Sequence, residues 1–439
     1  MMPFTVFGRM ESKVQSYGRN FPCVLDRALG AEVWDLDGRR YLDFLAGAGS
    51  LNYGHNNPIL KAALLSYIES DSIAHSLDLY TAAKLKFLEA MRDIVLKPRG
   101  LDYVLQFTGP TGANAVEAAL KLARKVTGRS NVICFTNGFH GVSAGALSAT
   151  GNLYNRGAAG LPLYGTVRMP FENYCGASFD TIEYIDHMLS DPSSGIDHPA
   201  AMLVETIQGE GGLNTATSDW LRRLYALCEG KGILLIVDDI QAGCGRTGSF
   251  FSFESAGIKP DMVTLSKSLS GYGLPLSVVL IRRELDAWKP GEHNGTFRGN
   301  NHAFVTATAM LQRYWQTGEF AEEVRAKGDR LERRLHTWVS RFSPHVLETR
   351  GRGMMRGVRC RDPKRAQEIA ARAFREGVII ERCGPQDEVI KCMMPLTIPL
   401  HQLDEGLDII EHAMSAEFES EGTGIVAVRQ PEFASVAAE

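Results

Sequence analysis

Short apolar runs alternate with helical stretches through most of the chain, and this order constrains the fold more than any other feature. The runs lie at 103–107, 132–135, 201–205, 233–237 and 262–265, each bounded by turn residues. Helical segments separate them, such as ANAVEAALKLARKV and 219–228. A strand covered on both faces is a continuous apolar run, so the pattern predicts an α/β fold with a mainly parallel sheet covered by helices.

The two ends of the chain are expected to pack together in a smaller α+β domain. The segment 32–44 alternates apolar and polar residues around an Asp37-Gly38 turn, which predicts a hairpin. A long charged helix begins near Gly318 and leads away from the sheet. We therefore expect an N-terminal segment that packs with the small domain (1–58), a large domain (59–320), the small domain (321–414) and a flexible tail (415–439).

Composition excludes several classes of partner. The net charge of -4 over 439 residues gives no reason to expect nucleic acid or an anionic membrane surface. No apolar stretch approaches the roughly 20 residues that span a bilayer, and the N-terminus has no secretion signal. The 8 cysteines are scattered and the 11 histidines show no metal-binding spacing, so we expect a cytoplasmic protein with reduced thiols and no metal site.

Two charged residues follow predicted strands, at the sheet edge where α/β proteins bind ligands. Lys267 stands among serines and glycines in TLSKSLSGYGLP, just after 262–265. Most lysines in such a loop are solvated, but a desolvated lysine has a lowered pKa and can attack a carbonyl. Asp238 directly follows 233–237, so we expect it to be partly buried and to need a cationic or hydrogen-bonding partner.

Small and aromatic residues follow two other predicted strands. Gly112 and Ala113 open a helix, whose N-terminus attracts anions. Phe139 follows 132–135 and could stack on a flat ring. Alone, these features indicate only a glycine-rich turn and a core phenylalanine. Pyridoxal 5′-phosphate explains them together with Lys267 and Asp238, because it has a phosphate, a flat ring, an aldehyde and a pyridinium N–H.

Several long segments resemble one enzyme family. TGANAVEAALKLAR, ETIQGEGG, DDIQAGCGRTG and DMVTLSKSLSGYGLP are similar to the class III (ω-type) pyridoxal-phosphate aminotransferases, over most of 44–399. FLAGAGSLNYGHNNP, VDDIQAGCGRTGSFFSFESAGI and KPGEHNGTFRGNN more narrowly resemble the diaminobutyrate–2-oxoglutarate aminotransferases of ectoine biosynthesis. The resemblance implies the fold of type I pyridoxal-phosphate-dependent transferases.

The resemblance also implies roles for residues around the cofactor ring. Lys267 would form a Schiff base with the cofactor and later shuttle the proton. Asp238 would pair with the ring nitrogen and keep it protonated. Ile240 would pack on one ring face and Phe139 on the other. His140 either supports the ring stack or is a structural histidine.

Further roles concern the rest of the cofactor and the assembly. Gln241 would hydrogen-bond the ring hydroxyl, and the backbone of Gly112 and Ala113 would bind the phosphate. Thr296 matches a threonine that reaches the phosphate in the neighbouring subunit. An obligate homodimer is therefore implied, with pairing of dimers into tetramers left open.

Three residues are candidates for binding the substrate, and two of them depart from the family pattern. Glu210 matches a glutamate that pairs with a cation in the empty site. Lys391 stands where many relatives have an arginine, so it lacks a bidentate fork. Arg298 stands where many have glycine; it could supply a planar clamp, or lie at the phosphate or the subunit interface. Ser76, in HSLD, also departs from the ectoine enzymes.

The expected activity is transfer of an amino group between L-glutamate/2-oxoglutarate and L-2,4-diaminobutyrate/L-aspartate 4-semialdehyde. The substrates would thus be small amino acids and oxo acids. Another ω-aminotransferase, acting on ornithine, 4-aminobutyrate or a diamine, is the nearest alternative. A diaminobutyrate enzyme of siderophore or peptide synthesis and a non-catalytic pyridoxal-binding regulator also remain open.

Overall fold

A seven-stranded sheet forms the centre of the protein, in a computed structural model that describes residues 4–418. In chain order the strands are β1 (Leu25–Leu29), β2 (Glu32–Asp35), β3 (Arg40–Asp43), β4 (Tyr103–Phe107), β5 (Val132–Phe135), β6 (Thr166–Met169), β7 (Ala201–Val204), β8 (Ile207–Gln208), β9 (Asn214–Thr215), β10 (Leu234–Asp238), β11 (Met262–Leu265), β12 (Val278–Arg282), β13 (Val346–Arg352), β14 (Met355–Cys360), β15 (Val378–Ile379), β16 (Glu381–Cys383) and β17 (Val389–Cys392).

The α-helices separate these strands through most of the chain. They are α1 (Phe4–Met10), α2 (Tyr17–Asn20), α3 (Ala46–Gly49), α4 (Pro58–Glu69), α5 (Ala82–Ala90), α6 (Gly112–Thr127), α7 (Ala144–Ala149), α8 (Leu153–Gly157), α9 (Thr181–Ser190), α10 (Ser218–Lys231), α11 (Asn301–Tyr314), α12 (Glu319–Arg341), α13 (Pro363–Glu376) and α14 (Leu400–Phe418). None of the helices within residues 4–418 is both long and apolar enough to cross a membrane.

The central sheet has the strand order β4-β12-β11-β10-β7-β5-β6. The five strands from β11 to β6 run parallel, whereas β12 is antiparallel to both β11 and β4. The predicted fold class, a mainly parallel sheet, is therefore confirmed. The strand β10 reaches one residue further than predicted, so Asp238 is its last residue rather than the residue after it.

Helices cover both faces of this sheet, which explains why its inner strands β5 and β7 are apolar throughout. Alternate side chains of β10 belong to different cores: Ile236 packs with the α6 side, and Leu235 and Val237 pack with the opposite side. The α6 side is lined by small residues, including Ala115 and Ala119. Successive side chains of a strand point to opposite faces, so a strand between two helical layers needs apolar residues at every position.

Local signals at the helix ends agree with the predicted boundaries. The side chain of Thr217 accepts a hydrogen bond from Trp220 N at 3.1 Å, and Gly232 ends α10 with a φ of 60°. Asp362 similarly accepts from Lys364 N at 2.9 Å, directly before Pro363 at the start of α13. Side-chain caps and left-handed glycines of this kind satisfy the unpaired groups of helix ends.

The chain ends meet in one further sheet, of order β1-β2-β3-β15, and C-terminal strands form another. The predicted hairpin is present as β2 and β3, and β3 pairs in parallel with β15 near the C-terminus, with Leu42 opposite Val378. A second sheet has the order β13-β14-β17-β16. The N-terminal strands therefore pack with C-terminal elements, and the domain boundaries remain a prediction.

The C-terminal helix is longer than the sequence indicated. Helix α14 continues to Phe418, so residues 415–418, which were predicted to begin a flexible tail, are helical. Phe418 is buried and its ring contacts those of Phe342 and His345, which explains the extension. The rest of the predicted tail, 419–439, lies outside the described residues.

Candidate active site

A cavity of about 160 Å³ lies at the carboxyl edge of the central sheet. Turns after several strands and the beginning of α6 form its walls, which are Gly112, Ala113, Phe139, His140, Gly141, Glu205, Ile207, Glu210, Asp238, Ile240, Gln241, Ala242 and Lys267. A second cavity of about 660 Å³ shares Phe139 and Glu210 with the first. Most of the residues predicted for the cofactor are thus brought together around one space.

Lys267 lies directly beyond β11, in a backbone conformation that is costly for a lysine. Its φ of 45° is in the left-handed region, which residues other than glycine adopt rarely. The following turn is fixed by Ser268, whose Oγ donates to Gly49 O at 2.7 Å and accepts from Asn52 N at 3.0 Å. Strain of this kind persists only where the surrounding structure enforces it, and it is often found at functional sites.

The surroundings of Lys267 also favour its neutral amine. Burial lowers the pKa of Lys267. The negative charge of Glu210 opposes this effect, and the ammonium of Lys391 adds to it, with a net lowering of the pKa. A neutral amine is the form that attacks a carbonyl carbon, so the site is suited to a nucleophilic lysine.

Asp238 is buried at the end of β10 and has three hydrogen-bond partners. Its Oδ2 lies 2.7 Å from Nδ1 of His140, and its Oδ1 accepts from Thr264 Oγ1 at 3.0 Å and from Ile240 N at 3.3 Å. Burial alone would lower the pKa of His140, but the hydrogen bond and charge of Asp238 raise it. The pair therefore keeps a carboxylate in a fixed orientation on one wall of the cavity.

The start of α6 forms a cradle that only small residues allow. A Cβ atom on Gly112 would lie 2.9 Å from Cδ1 of Ile240. A Cβ on Gly141, whose φ is 126°, would lie 2.7 Å from Cβ of Ala113. The first backbone N–H groups of a helix have no partner within the helix and attract anions, so this cradle suits a phosphate group.

Glu205 is a buried carboxylate that the sequence left without a definite role. Its Oε2 accepts from Phe139 N at 2.9 Å and its Oε1 from Gly209 N at 3.3 Å. Burial raises the pKa of Glu205 to about 7. Glu205 therefore fixes the backbone that carries Phe139 on the cavity wall.

A polar network adjoins Lys267 on the side of the larger cavity. Gln241 Nε2 donates to Ala48 O and to Glu210 Oε1, both at 3.1 Å. Nζ of Lys391 donates to Glu210 Oε1 and to Gln241 Oε1, both at 3.2 Å. Burial would raise the pKa of Glu210, but the charges of Lys391 and of protonated Lys267, with hydrogen bonds from Gln241 and Lys391, lower it to about 2. Glu210 is therefore a carboxylate held between two lysines.

Two residues of this network were not predicted. Glu381 in β16 lies opposite Lys391 in β17, and its Oε1 is 2.9 Å from Lys391 Nζ. Tyr17 donates its hydroxyl to Glu381 Oε2 at 3.3 Å. A signal was available, because Glu381 directly follows the apolar run VII in VIIERC, and Lys391 lies between the apolar pairs VI and CM in EVIKCMM. Charged residues in buried strands need partners of opposite charge.

Thr296 and Arg298 lie elsewhere in the chain and do not line the Lys267 cavity. The carbonyl oxygen of Thr296 is 3.0 Å from Nε2 of His75. Arg298 forms an ion pair with Asp78, and its Nη1 donates to His293 O at 3.2 Å. Arg298 also borders a separate cavity of about 310 Å³. The role of Thr296 in a neighbouring subunit and the clamp role of Arg298 both remain predictions.

The residues around Lys267 fit pyridoxal phosphate. The cradle at Gly112 can hold a phosphate, while Asp238 faces the cavity with a carboxylate for a protonated ring nitrogen. Phe139 and Ile240 provide apolar walls for a flat ring. Within residues 4–418, no group of three His, Cys, Asp or Glu side chains is arranged to hold a metal ion.

Comparisons with known proteins agree with this chemistry. A family model described as aminotransferase class-III matches residues 14–414. The chain is 56% identical over 409 residues to the diaminobutyrate–2-oxoglutarate transaminase of Vibrio parahaemolyticus, covering 93% of this chain and 97% of the relative. It is 53% identical over 421 residues to the enzyme of that name from Halomonas elongata, covering 95% and 100%.

Solved structures show the same architecture. The ornithine aminotransferase of Toxoplasma gondii, whose active site is partly occupied by pyridoxal phosphate, has a TM-score of 0.82 and 28% sequence identity. The match covers 95% of this chain and 94% of that one. A Bacillus anthracis aminotransferase has a TM-score of 0.84 at 22% identity, covering 94% and 97%, and so supports the fold.

Proposed function

Because this chain belongs to the class-III aminotransferases, which depend on pyridoxal phosphate, we propose that it is a diaminobutyrate–2-oxoglutarate transaminase. The reaction moves an amino group between L-glutamate/2-oxoglutarate and L-2,4-diaminobutyrate/L-aspartate 4-semialdehyde. One observation carries the proposal: half-buried Lys267 shares its cavity with Asp238 and with Glu210, which pairs with Lys391. Relatives of that name, with 53% to 56% identity over nearly the whole chain, support the choice of substrate.

Pyridoxal phosphate, when bound, supplies the aldehyde that takes up the amino group and a ring that withdraws electrons from the reacting carbon. In the proposal, Lys267 would hold the cofactor at its aldehyde and would leave this position free for a substrate amine. The freed Nζ atom then carries the proton to and from the reacting carbon. Asp238, oriented by His140, keeps a proton on the ring nitrogen. Phe139 and Ile240 keep water from the two ring faces.

The two amino donors differ in whether they need Lys391, the cation near Lys267, to bind a carboxylate. Glutamate reacts at its α-amine, so a carboxylate lies next to the reacting carbon. Diaminobutyrate reacts at its ω-amine, where no carboxylate is adjacent. The Glu210–Lys391 pair, with 3.2 Å between Oε1 and Nζ, meets both demands if Glu210 stays for diaminobutyrate and moves aside for glutamate. Lys391 then binds the α-carboxylate of glutamate.

We also propose a biological setting and an assembly. The segments that resemble the ectoine enzymes support a role in ectoine biosynthesis, in the cytoplasm. A homodimer is supported by Thr296, which lies apart from the cavity of its own chain, and by four exposed apolar side chains in one short segment, Ile73, Leu77, Leu79 and Tyr80. Exposed apolar side chains that form a contiguous patch are typical of surfaces that contact another protein.

The test is to mix the holoenzyme separately with 2,4-diaminobutyrate, glutamate, ornithine and 4-aminobutyrate and follow the visible absorption of the bound cofactor in a single turnover. Fast bleaching by diaminobutyrate and glutamate alone is the expected result. Preference for ornithine would favour the second candidate, which the Toxoplasma gondii ornithine aminotransferase structure suggests. Bleaching by none of the four amino acids would refute the proposal.

A matched pair of lysine variants completes the test. Lys267→Ala should abolish amino-group transfer because the nucleophile is gone. Lys259→Ala is the control: Lys259 is exposed and its Nζ donates to Gly100 O at 3.0 Å, outside the cavity. Retention of transfer by Lys267→Ala would contradict the assignment of the nucleophile.

A further inference from the structure

The ammonium of Lys391 is completely buried between two carboxylates. Nζ lies 2.9 Å from Glu381 Oε1 and 3.2 Å from Glu210 Oε1. The side chain of Lys391 is 0% exposed, that of Glu381 is 6% exposed and that of Glu210 is 34% exposed. Both carboxylates border the larger cavity, but Glu381 is almost closed off from solvent, whereas Glu210 is the more open of the two.

The two carboxylates differ in how firmly they are fixed. Glu381 and Lys391 are paired residues of the antiparallel strands β16 and β17, so their side chains share one face of the sheet. Tyr17 holds the second oxygen of Glu381 at 3.3 Å. Glu210 lies instead between glycines, in the segment GEGG beyond β8, and borders the larger cavity. Glu210 is the partner that has room to leave.

We infer that Glu381 is a positioning residue that holds the Lys391 ammonium in place while Glu210 leaves it and a substrate carboxylate takes the position of Glu210. The inference rests on the proposed reaction with glutamate. It explains how a lysine can serve where a planar guanidinium would bind a carboxylate with two parallel hydrogen bonds. A lysine is a point charge on a flexible stem, so without Glu381 it would follow Glu210.

The charges around Lys391 support this division of roles. The titratable groups that interact with it include Glu210, Glu381, Cys383, Lys267 and Tyr17. When a substrate carboxylate replaces Glu210, the ammonium keeps one carboxylate on each side. When Glu381 is neutral, the ammonium has no fixed carboxylate to hold it at the position that Glu210 leaves. A flexible lysine that moves with Glu210 is then out of reach of the substrate carboxylate, so carboxylate exchange would become unfavourable.

The test measures binding of glutarate to the holoenzyme by calorimetry. Glutarate has the two carboxylates of glutamate but no amine, so it binds without reacting. Glu381→Gln should weaken glutarate binding by at least about tenfold, since it leaves the cation without its fixed counter-ion. The glutamate concentration for half-saturation should rise to the same extent, with the saturated rate changed by less than about threefold.

Two controls separate positioning from general damage. Half-saturation by diaminobutyrate should change by less than about twofold in Glu381→Gln, because Glu210 stays on Lys391 with this substrate. Glu348→Gln removes a half-exposed carboxylate that pairs with Arg350 and Arg359, and it should leave all these values unchanged. Equal losses with glutamate and diaminobutyrate, or wild-type glutarate affinity in Glu381→Gln, would overturn the inference.

A second parent variant, Lys391→Arg, tests whether the effect of Glu381→Gln comes from misfolding. In Lys391→Arg, the guanidinium can bind a carboxylate with two hydrogen bonds, so adding Glu381→Gln should weaken glutarate by less than about threefold. A loss as large as in the protein with Lys391 would show a merely structural role.

If Glu381→Gln does not fold, Tyr17→Phe replaces it. This variant should weaken glutarate binding by about threefold, the worth of one hydrogen bond. No change in glutarate binding would overturn the inference.

The failure of the inference differs from the failure of the proposed function. If the wild-type holoenzyme does not react with glutamate and does not bind glutarate, the proposed transaminase is wrong and the inference falls with it. If the wild type does both and Glu381→Gln behaves like it, only the role of Glu381 is refuted.

Discussion

The Nδ1 atom of His140 lies 2.7 Å from the Oδ2 atom of Asp238, and both side chains are buried at the carboxyl edge of the central sheet. The carboxylate raises the pKa of the imidazole although burial opposes it. Its other oxygen is held by Thr264 and Ile240. The carboxyl group of Asp238 therefore faces the cavity in a fixed orientation, which the proposed chemistry requires.

Asp238→Asn should lower kcat/KM for both amino donors by about 10²- to 10³-fold, the scale of losing one preorganised electrostatic partner. The neutral amide keeps the shape of the side chain but cannot stabilise a protonated ring nitrogen. Steady-state kinetics with glutamate and diaminobutyrate check this, with Asp197→Asn as a control at an exposed position. Wild-type activity in Asp238→Asn would show that the ring nitrogen is served by another group.

Gly112→Ala should weaken binding of pyridoxal phosphate by about tenfold, because the new methyl group must displace Ile240 from the cavity wall. Titration of the apoprotein with the cofactor, followed by absorbance, measures the affinity. Gly230→Ala is the control, since a Cβ there meets no atom within 4 Å. Unchanged affinity in Gly112→Ala would mean that the cofactor phosphate lies away from this helix.

Glu205 should make the free energy of unfolding depend on pH between about 4.5 and 7. Burial raises its pKa from 4.5 to about 7 in the folded protein, so the folded state binds more protons than the unfolded state in this window. Stability is therefore highest at the acidic end of the window and falls as the pH rises through it.

Glu205→Gln should reduce this dependence, measured as the difference in unfolding free energy between pH 5 and pH 8 in urea. Some dependence should remain, because burial also raises the pKa of Asp239 to about 7. Glu229→Gln alters an exposed carboxylate and should have no effect. An unaltered difference in Glu205→Gln would contradict the shifted pKa.

Trp338 joins α12 to α14, and its loss should destabilise the C-terminal part of the protein. The ring is fully buried and its Nε1 donates to Glu411 Oε2 at 2.8 Å. Trp338→Ala should cost about 3–5 kcal/mol of unfolding free energy, because it leaves a large cavity. Trp338→Phe should cost less, and exposed His336→Ala almost nothing. Urea unfolding measures all three; a cost below about 1 kcal/mol for Trp338→Ala would contradict this packing.

Sequence reasoning predicted the central sheet well because buried parallel strands are continuous apolar runs. It did not identify β6 (Thr166–Met169) or β12 (Val278–Arg282). The antiparallel direction of β12 was not expected either, since an apolar run carries no information on direction. Strand pairing, set by the tertiary fold, decides that property.

The sequence predicted those residues of the candidate site whose charged side chains lie at the ends of predicted strands. Lys267 and Asp238 could be found in this way, and both line the cavity. The pairing of Glu381 with Lys391 depends on the register between β16 and β17, which no local pattern specifies. The sequence left open whether His140 supports the ring stack or is a structural histidine, because it does not specify the direction of the imidazole ring. In the structure, Nδ1 of His140 faces Asp238. The roles predicted for Thr296 and Arg298 depend on contacts outside the Lys267 cavity, which the local sequence does not specify.

The walls around Lys267 come from segments that are far apart in the chain and meet only because β5, β7, β10 and β11 are neighbours. A chain with the right helices but a wrong strand order would separate Lys267 from Asp238. The protein therefore binds the cofactor only when the central sheet has folded with the correct strand order. A ligand that binds only the folded state stabilises it by RT ln(1 + [L]/Kd). Bound pyridoxal phosphate should therefore add to the free energy of unfolding of this protein.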